Sequence, residues 1–259
     1  MTFALEFPPI SHLVEWPELF LEGTPFAVNK IVLIYLLAVV LTLVLFLVGG
    51  RKGALVPTGR LQTIAESGVD FIREGIIMQT IGPDGLRKRW IMPLLTSMFF
   101  FIFFCNVTEI IPFIQMPATA RMAVPMLLAL MVWVIFNLVG VANQGPIGYL
   151  KSSLFPPGVP KALYILVTPI EFVSTFLVRP FSLAVRLFAN LLAGHILLVT
   201  FAILTAALWV QQWYAVFMPL PFVMLVFLTG FELMVAFLQA YIFTILTAVF
   251  IGGAMHPEH

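Results

Sequence analysis

A single cysteine in 259 residues rules out a disulfide framework and a thiolate metal cluster. Cys105 stands alone in an apolar run and reads as a small buried hydrophobe. Charge is equally scarce. Asp, Glu, Lys and Arg make up 10% of the chain, against about a quarter in a soluble domain. A net charge of +1 leaves no basic surface for nucleic acid. Of the four histidines only His195 falls inside an apolar run, and a bis-histidine haem site needs two. No GxxxxGK[ST] phosphate loop, internal repeat or low-complexity tract occurs. Nothing calls for a metal, a cofactor or a catalytic site of the chain's own.

What is abundant is apolar surface: 61% of residues, with a mean hydropathy of +1.08. That composition predicts an all-α membrane protein in a single membrane domain. Residues 1–30 form an acidic external segment, with Glu6, Glu15, Glu18 and Glu22 before the first Lys and with Trp16 as an interfacial anchor. Being acidic, they are not a signal peptide. The first span covers 31–50, its apolar run Ile31–Val48 closed by Gly49-Gly50. Arg51, Lys52 and Arg60 follow, which places this loop in the cytoplasm and the N-terminus outside. Residues 61–81 mix Ile64, Val69, Phe71 and Ile76 with Glu66, Asp70, Arg73 and Glu74, a pattern for an amphipathic helix on the membrane surface. Spans at 90–111 and 122–141 follow, with Arg87, Lys88, Arg89, Lys151 and Lys161 at their cytoplasmic ends.

The remaining apolar runs, 163–208 and 216–253, far exceed the roughly 20 residues a bilayer needs. As one helix the first would measure about 65 Å, against a hydrocarbon thickness of about 30 Å. Either each run folds back as two spans, or each is one steeply tilted helix. No tight turn signal interrupts them, which favours two long tilted antiparallel helices joined near Trp209-Val-Gln-Gln-Trp213-Tyr214, with a cytoplasmic C-terminus. In all, about five membrane-embedded helices are expected.

Arg186 lies near the middle of the first long run. A guanidinium there costs about 2.5–3.5 kcal/mol even on a lenient insertion scale, and it cannot lose its proton. On a helical wheel Glu171, Thr175, Arg179, Ser182, Arg186, Ala189, Asn190 and Ala193 share about a third of the circumference, and His195 falls nearly opposite. Pro180 can rotate the two halves, so the part from Arg186 to His195 is the firmer. The small residues Ala189, Ala193 and Gly194 let another helix come close. Folding the antiparallel pair about residue 212 brings Gln239 to nearly the depth of Arg186, and Glu232 to that of His195. Asn106 and Glu109 end the second span at the same side. Glu171 and Arg179 lie on the other side of Arg186. This is the layout of two offset aqueous half-channels separated by a fixed cation. Plainer readings exist for single residues. Arg179 can snorkel to the surface, Glu109 can cap a helix end, Gln239 can be interhelical glue, and Glu232 with His195 can be a structural pair. Arg186 has no carboxylate one turn away on its own face.

The segment Arg179-Pro-Phe-Ser-Leu-Ala-Val-Arg186-Leu-Phe-Ala-Asn190-Leu-Leu-Ala-Gly-His195 closely resembles the signature of subunit a of the rotary F-type ATP synthase. Phe231-Glu232-Leu-Met-Val-Ala-Phe-Leu-Gln239-Ala-Tyr-Ile-Phe resembles that subunit's last helix. The resemblance implies a non-nucleotide-binding, proton-translocating stator subunit of a bacterial cell membrane, closer to actinobacterial than to mitochondrial members. It implies that Arg186 faces the c-ring, whose carboxylate is the missing partner, with Ala189, Asn190 and Ala193 on the same ring-facing side. It implies further that Asn190 and Gln239 are polar neighbours of Arg186, and that Asn106 and Glu109 line the inlet. His195 and Glu232 form an acid–imidazole pair in exchanged order, and Glu171 lies on the cytoplasmic side. Implied partners are the c-subunit ring, the b subunits of the peripheral stalk, the other F1Fo subunits, lipid and protons. The competing class is a stand-alone secondary transporter binding an anion at Arg186, which predicts an internal repeat that the chain lacks.

Overall fold

A computed structural model describes residues 18–20, 28–49, 59–111, 119, 121–155, 160, 163–209 and 213–255. Trp16, Arg51, Lys52, Pro112, Pro117, Lys161, Gln211, Gln212 and the C-terminal His256-Pro257-Glu258-His259 lie outside them. The described chain is helical apart from a short antiparallel ribbon, β1 (Glu18–Phe20) and β2 (Val28–Asn29). The ribbon adds local order to a segment that the sequence suggests only as an acidic tail.

Helix α1 (Lys30–Gly49) leaves β2 directly, and the side chain of Asn29 accepts the backbone N–H of Val32 at 3.1 Å, satisfying one of the orphan donors at the helix start. Next comes α2, which runs through Arg60–Ile72, a π-helical turn Arg73–Ile77 and Met78–Thr80. It buries Ile72, Ile76 and Ile77 completely while Leu61, Ile64, Phe71 and Met78 stay exposed beside its charges. The short α3 (Pro83–Arg87) leads to α4 (Ile91–Val107), and α5 (Ala123–Gln144) is followed by α6 (Pro146–Leu154). Sequence periodicity gave no sign of α3 or α6, because helices this short carry too few turns for a pattern to show. Helix α7 spans Tyr164–Leu208, and a 3₁₀ turn at Trp213–Phe217 leads into α8 (Pro219–Met255).

The fold-back alternative is therefore excluded: each long run is a single helix, the first 45 residues long. The four helices α1, α5, α7 and α8 are long and apolar enough to cross a membrane, and α4 is a shorter apolar helix. Large apolar side chains such as Leu127, Leu138, Ile165, Val223 and Phe227 project outward, as expected where lipid replaces water. Association in lipid rests on close packing, and α8 shows how. Its buried positions Leu228, Glu232, Ala236, Gln239, Ala240, Phe243, Thr244, Thr247, Ala248, Ile251 and Gly252 recur every three or four residues. This stripe packs against α4, α5 and α7. Its hydroxyls bond back one turn, Thr244 to the Ala240 carbonyl and Thr247 to the Phe243 carbonyl, both at 2.8 Å, so they need no outside partner.

The turn between α5 and α6 depends on Gly145, at φ 73° and ψ 163°, a region open almost only to glycine. Behind it Gln144 donates to the Ala254 carbonyl at 3.1 Å, and Lys88 donates to Asn143 at 3.1 Å. The turn thus ties the end of α8 to the start of α4. Gly145→Ala is expected to cost about 1–3 kcal/mol, read as a lowered thermal unfolding midpoint of the solubilised protein.

Candidate functional site

The site lies in the seam between α7 and α8, capped by the end of α4. One feature of the sequence shapes the α7 wall. Pro180 has no N–H to give the preceding turn, and the chain answers with a π-helical turn at Ser174–Val178, closed by the Arg179 N–H on the Ser174 carbonyl. The wide turn shifts the helical phase. Thr175 is consequently buried, whereas Ser182, Arg186, Ala189, Asn190 and Ala193 lie on one exposed face. The single polar sector expected from Glu171 to Ala193 is thus divided, and its firm part begins after the π turn. Leu183, Ala184, Leu187, Leu191, Gly194 and His195 form the buried face opposite.

Arg186 is exposed on that outer face and forms no ion pair among the described residues. Arg179 behaves differently: it is half-buried, with its guanidinium 5.4 Å from the centre of the Phe250 ring on α8. That cation–π contact turns it into the protein and away from a snorkelling pose.

One turn beyond Arg186, the Asn190 side-chain amide donates to Gln239 Oε1 at 2.8 Å. This bond sets the register of the helix pair. Gln239 is level with Asn190, one turn nearer the α7–α8 joint than a fold about residue 212 implies, because the 3₁₀ turn shifts the centre of the hairpin. A further turn along, the carboxylate of Glu232 lies against the backbone of Gly194. His195 Nδ1 then faces Glu109 Oε1 at 3.4 Å, longer than a good hydrogen bond of about 2.7–3.2 Å. Asn106 completes the series and accepts the Thr119 hydroxyl at 3.1 Å.

Glu109 reaches this position because α4 ends in tight turns, with its own N–H on the Asn106 carbonyl at 3.2 Å and that of Ile110 on the Val107 carbonyl at 3.0 Å. Glu109, His195, Glu232, Gln239 and Asn106 are all buried. Six buried side-chain polar atoms lack a hydrogen-bond partner among the described residues, and four belong to this group: Asn106 Nδ2, Glu109 Oε1, Glu232 Oε2 and Gln239 Nε2. Each such atom costs about 1–3 kcal/mol where no water reaches it, so their concentration in one seam is not accounted for by stability. A cavity of about 270 Å³ adjoins the group, lined by Glu109, His195, Ala202, Leu225 and Thr229 among others. Glu171 is not part of it. It sits half-buried on α7, about 22 Å from Arg186 along the helix at 1.5 Å per residue.

Thr119, Thr229 and Gly194 belong to the site yet were not singled out by their sequence context. Thr119 stands two residues after Pro117 in a stretch of sequence without period, and Thr229 looks like any hydroxyl in an apolar helix. Gly194 was readable only as a small residue.

The sequence profile of the family described as ATP synthase A chain matches residues 31–252. Proteins named ATP synthase subunit a are similar along nearly the whole chain. That of Rhodococcus erythropolis is 40% identical over 244 residues, covering 93% of this chain and 88% of its own. That of Frankia alni is 41% identical over 246 residues, covering 94% and 83%. That of Hyphomonas neptunium is 38% identical over 261 residues, covering 98% of each chain. The chain belongs to the ATP synthase A chain family. As a member it is a multi-pass membrane protein and a subunit of the F-type ATP synthase, in the proton-translocating membrane sector and without a nucleotide site. Actinobacterial proteins are among the family members it matches.

Proposed function

We propose that this subunit is the stator of proton flow, offering one half-channel to each side of the membrane and a separating cation to a rotating c-ring. The observation that carries the proposal is the exposed, unpaired Arg186 on an outer face of small residues, backed by a buried series of proton-exchanging groups. A cation on the surface of a membrane helix needs an anion from outside the chain, and a ring carboxylate supplies one.

Orientation follows from charge. Arg87, Lys88, Arg89 and Lys151 sit on the short segments beside the far end of α8 from the joint, where Gln144 meets Ala254, Lys88 meets Asn143 and Thr80 approaches Gly252. By the positive-inside rule that end is cytoplasmic and the N-terminus external. The cavity at Glu109 and His195 then opens toward the outside, and Glu171 and Arg179 lie on the cytoplasmic side.

Protons enter by the cavity, pass Asn106, Glu109, His195 and Glu232, and neutralise a ring carboxylate, which can then turn into lipid. After nearly a full rotation the carboxyl reaches the cytoplasmic side near Glu171 and loses its proton. Arg186 holds the resulting anion and keeps the two half-channels apart. Each proton moved across 100 mV supplies about 2.3 kcal/mol, so several are needed per ATP. The b subunits of the peripheral stalk hold the subunit against the ring's torque.

The test is purification of the complex from native membranes, followed by mass identification and cross-linking. Ala193→Cys on the outer face is expected to form a disulfide with a cysteine placed next to the carboxylate of a multi-copy two-span protein. Purification of this chain alone, still conducting protons, contradicts the proposal.

A further inference from the structure

Helix α7 packs on α8 where Gly194 faces Glu232. A Cβ placed on Gly194 would fall on the Glu232 carboxylate, against its carbon and both oxygens. Glu232 is 4% exposed, and its Oε2 has no hydrogen-bond partner among the described residues. Glycine weakens a helix interior relative to alanine, so its presence in the middle of a 45-residue helix needs a reason in packing. Here the bare backbone is one wall of the space that the carboxylate fills. Gly230, two residues before Glu232, shows the contrast: a Cβ there would meet nothing within 4 Å among the described residues.

The location of this seat matters as much as its shape. Gly194 immediately precedes His195, which contacts Glu109, and follows Asn190, which bonds Gln239, by one turn. The Glu232 carboxylate therefore lies between the imidazole–carboxylate contact on the cavity side and the amide pair on the Arg186 side.

We propose that Gly194 is a positioning residue of the proton route: its missing side chain keeps open the seat in which the Glu232 carboxylate links His195 to the Asn190–Gln239 pair. The inference rests on the channel reading above. Any side chain at 194 displaces the carboxyl from this line while leaving the helix intact, since alanine favours helix more than glycine does. Displacement of a reacting group by about 1 Å is enough to slow a transfer by about a hundred-fold.

The test uses the whole ATP synthase in inverted membrane vesicles, with complex abundance and ATP-driven acidification both measured. Gly194→Ala is expected to keep normal abundance and lose about ten- to a hundred-fold in pumping rate. Gly230→Ala, the same change where space is open, is expected to pump like the parent. The double variant Gly194→Ala/Glu232→Asp shortens the acid by one methylene and is expected to pump several-fold faster than Gly194→Ala alone, a rescue that a general packing defect would not show. Glu232→Gln is the control for the channel reading: if it pumps normally, that reading fails. If Glu232→Gln is impaired while Gly194→Ala pumps normally, or if the double variant gives no recovery, the positioning role is overturned. Should Gly194→Ala fail to assemble, the double variant carries the test, and its failure to assemble and pump would overturn the proposal as well.

Discussion

Arg186→Ala is expected to abolish ATP-driven proton pumping while the subunit still assembles. Assembly is expected to survive because Arg186 is exposed and forms no ion pair among the described residues, so the substitution breaks no internal ion pair. Surface changes of that kind stay within about 0.5 kcal/mol. On the proposed function the guanidinium serves in two ways, and both are lost together. An ionised carboxylate arriving at this face has no counter-ion, so the ring is trapped in its protonated states. The electrostatic barrier between the two half-channels also disappears, so the membrane sector becomes passively leaky to protons. The measurement is fluorescence quenching in inverted vesicles, with passive leak measured after removal of the catalytic sector. Arg186→Lys is expected to retain little of the rate, since a compact ammonium does not reproduce the planar fork with which arginine meets a carboxylate. Coupled pumping at the parental rate by Arg186→Ala would remove the ground for the proposed function.

His195→Ala is the second large effect, and it separates the route from the scaffold. The imidazole lies 3.4 Å from Glu109 and lines the 270 Å³ cavity, so on the proposed route it is the first titratable group on α7 that a proton from that cavity meets. Removing a positioned proton carrier costs about a hundred-fold in favourable cases, and water admitted by the enlarged cavity offsets part of it. We expect a loss of at least about ten-fold in pumping, with a much smaller change in complex abundance. Because His195 and Glu109 act as one pair, Glu109→Gln added to His195→Ala is expected to slow pumping little further. Equal losses of complex and of flux would instead make His195 a structural residue.

Scarce charge, long apolar runs and the stranded Arg186 were enough to read a helical membrane protein and to name Asn106, Glu109, Glu171, Arg186, Asn190, His195, Glu232 and Gln239. Each is a polar group in a solvent that penalises it, so each is conspicuous by its cost. Pro180 marked where the polar sector of α7 could divide, but the size of the shift was not legible. Helical wheels assume a constant phase, and the π turn at Ser174–Val178 breaks it by an amount that depends on how Pro180 is accommodated.

Sequence by itself determined which residues are anomalous in an apolar chain, since hydropathy and charge are properties of residues taken one at a time. Tertiary structure alone decided which of them meet. The pairing of Asn190 with Gln239, the seat of Glu232 on Gly194 and the approach of Glu109 to His195 join residues 38 to 86 positions apart. Such contacts depend on where two long helices cross and how far their joint shifts them. A shift of one turn, about 5.4 Å, changes every partner, and no periodicity within either helix records it.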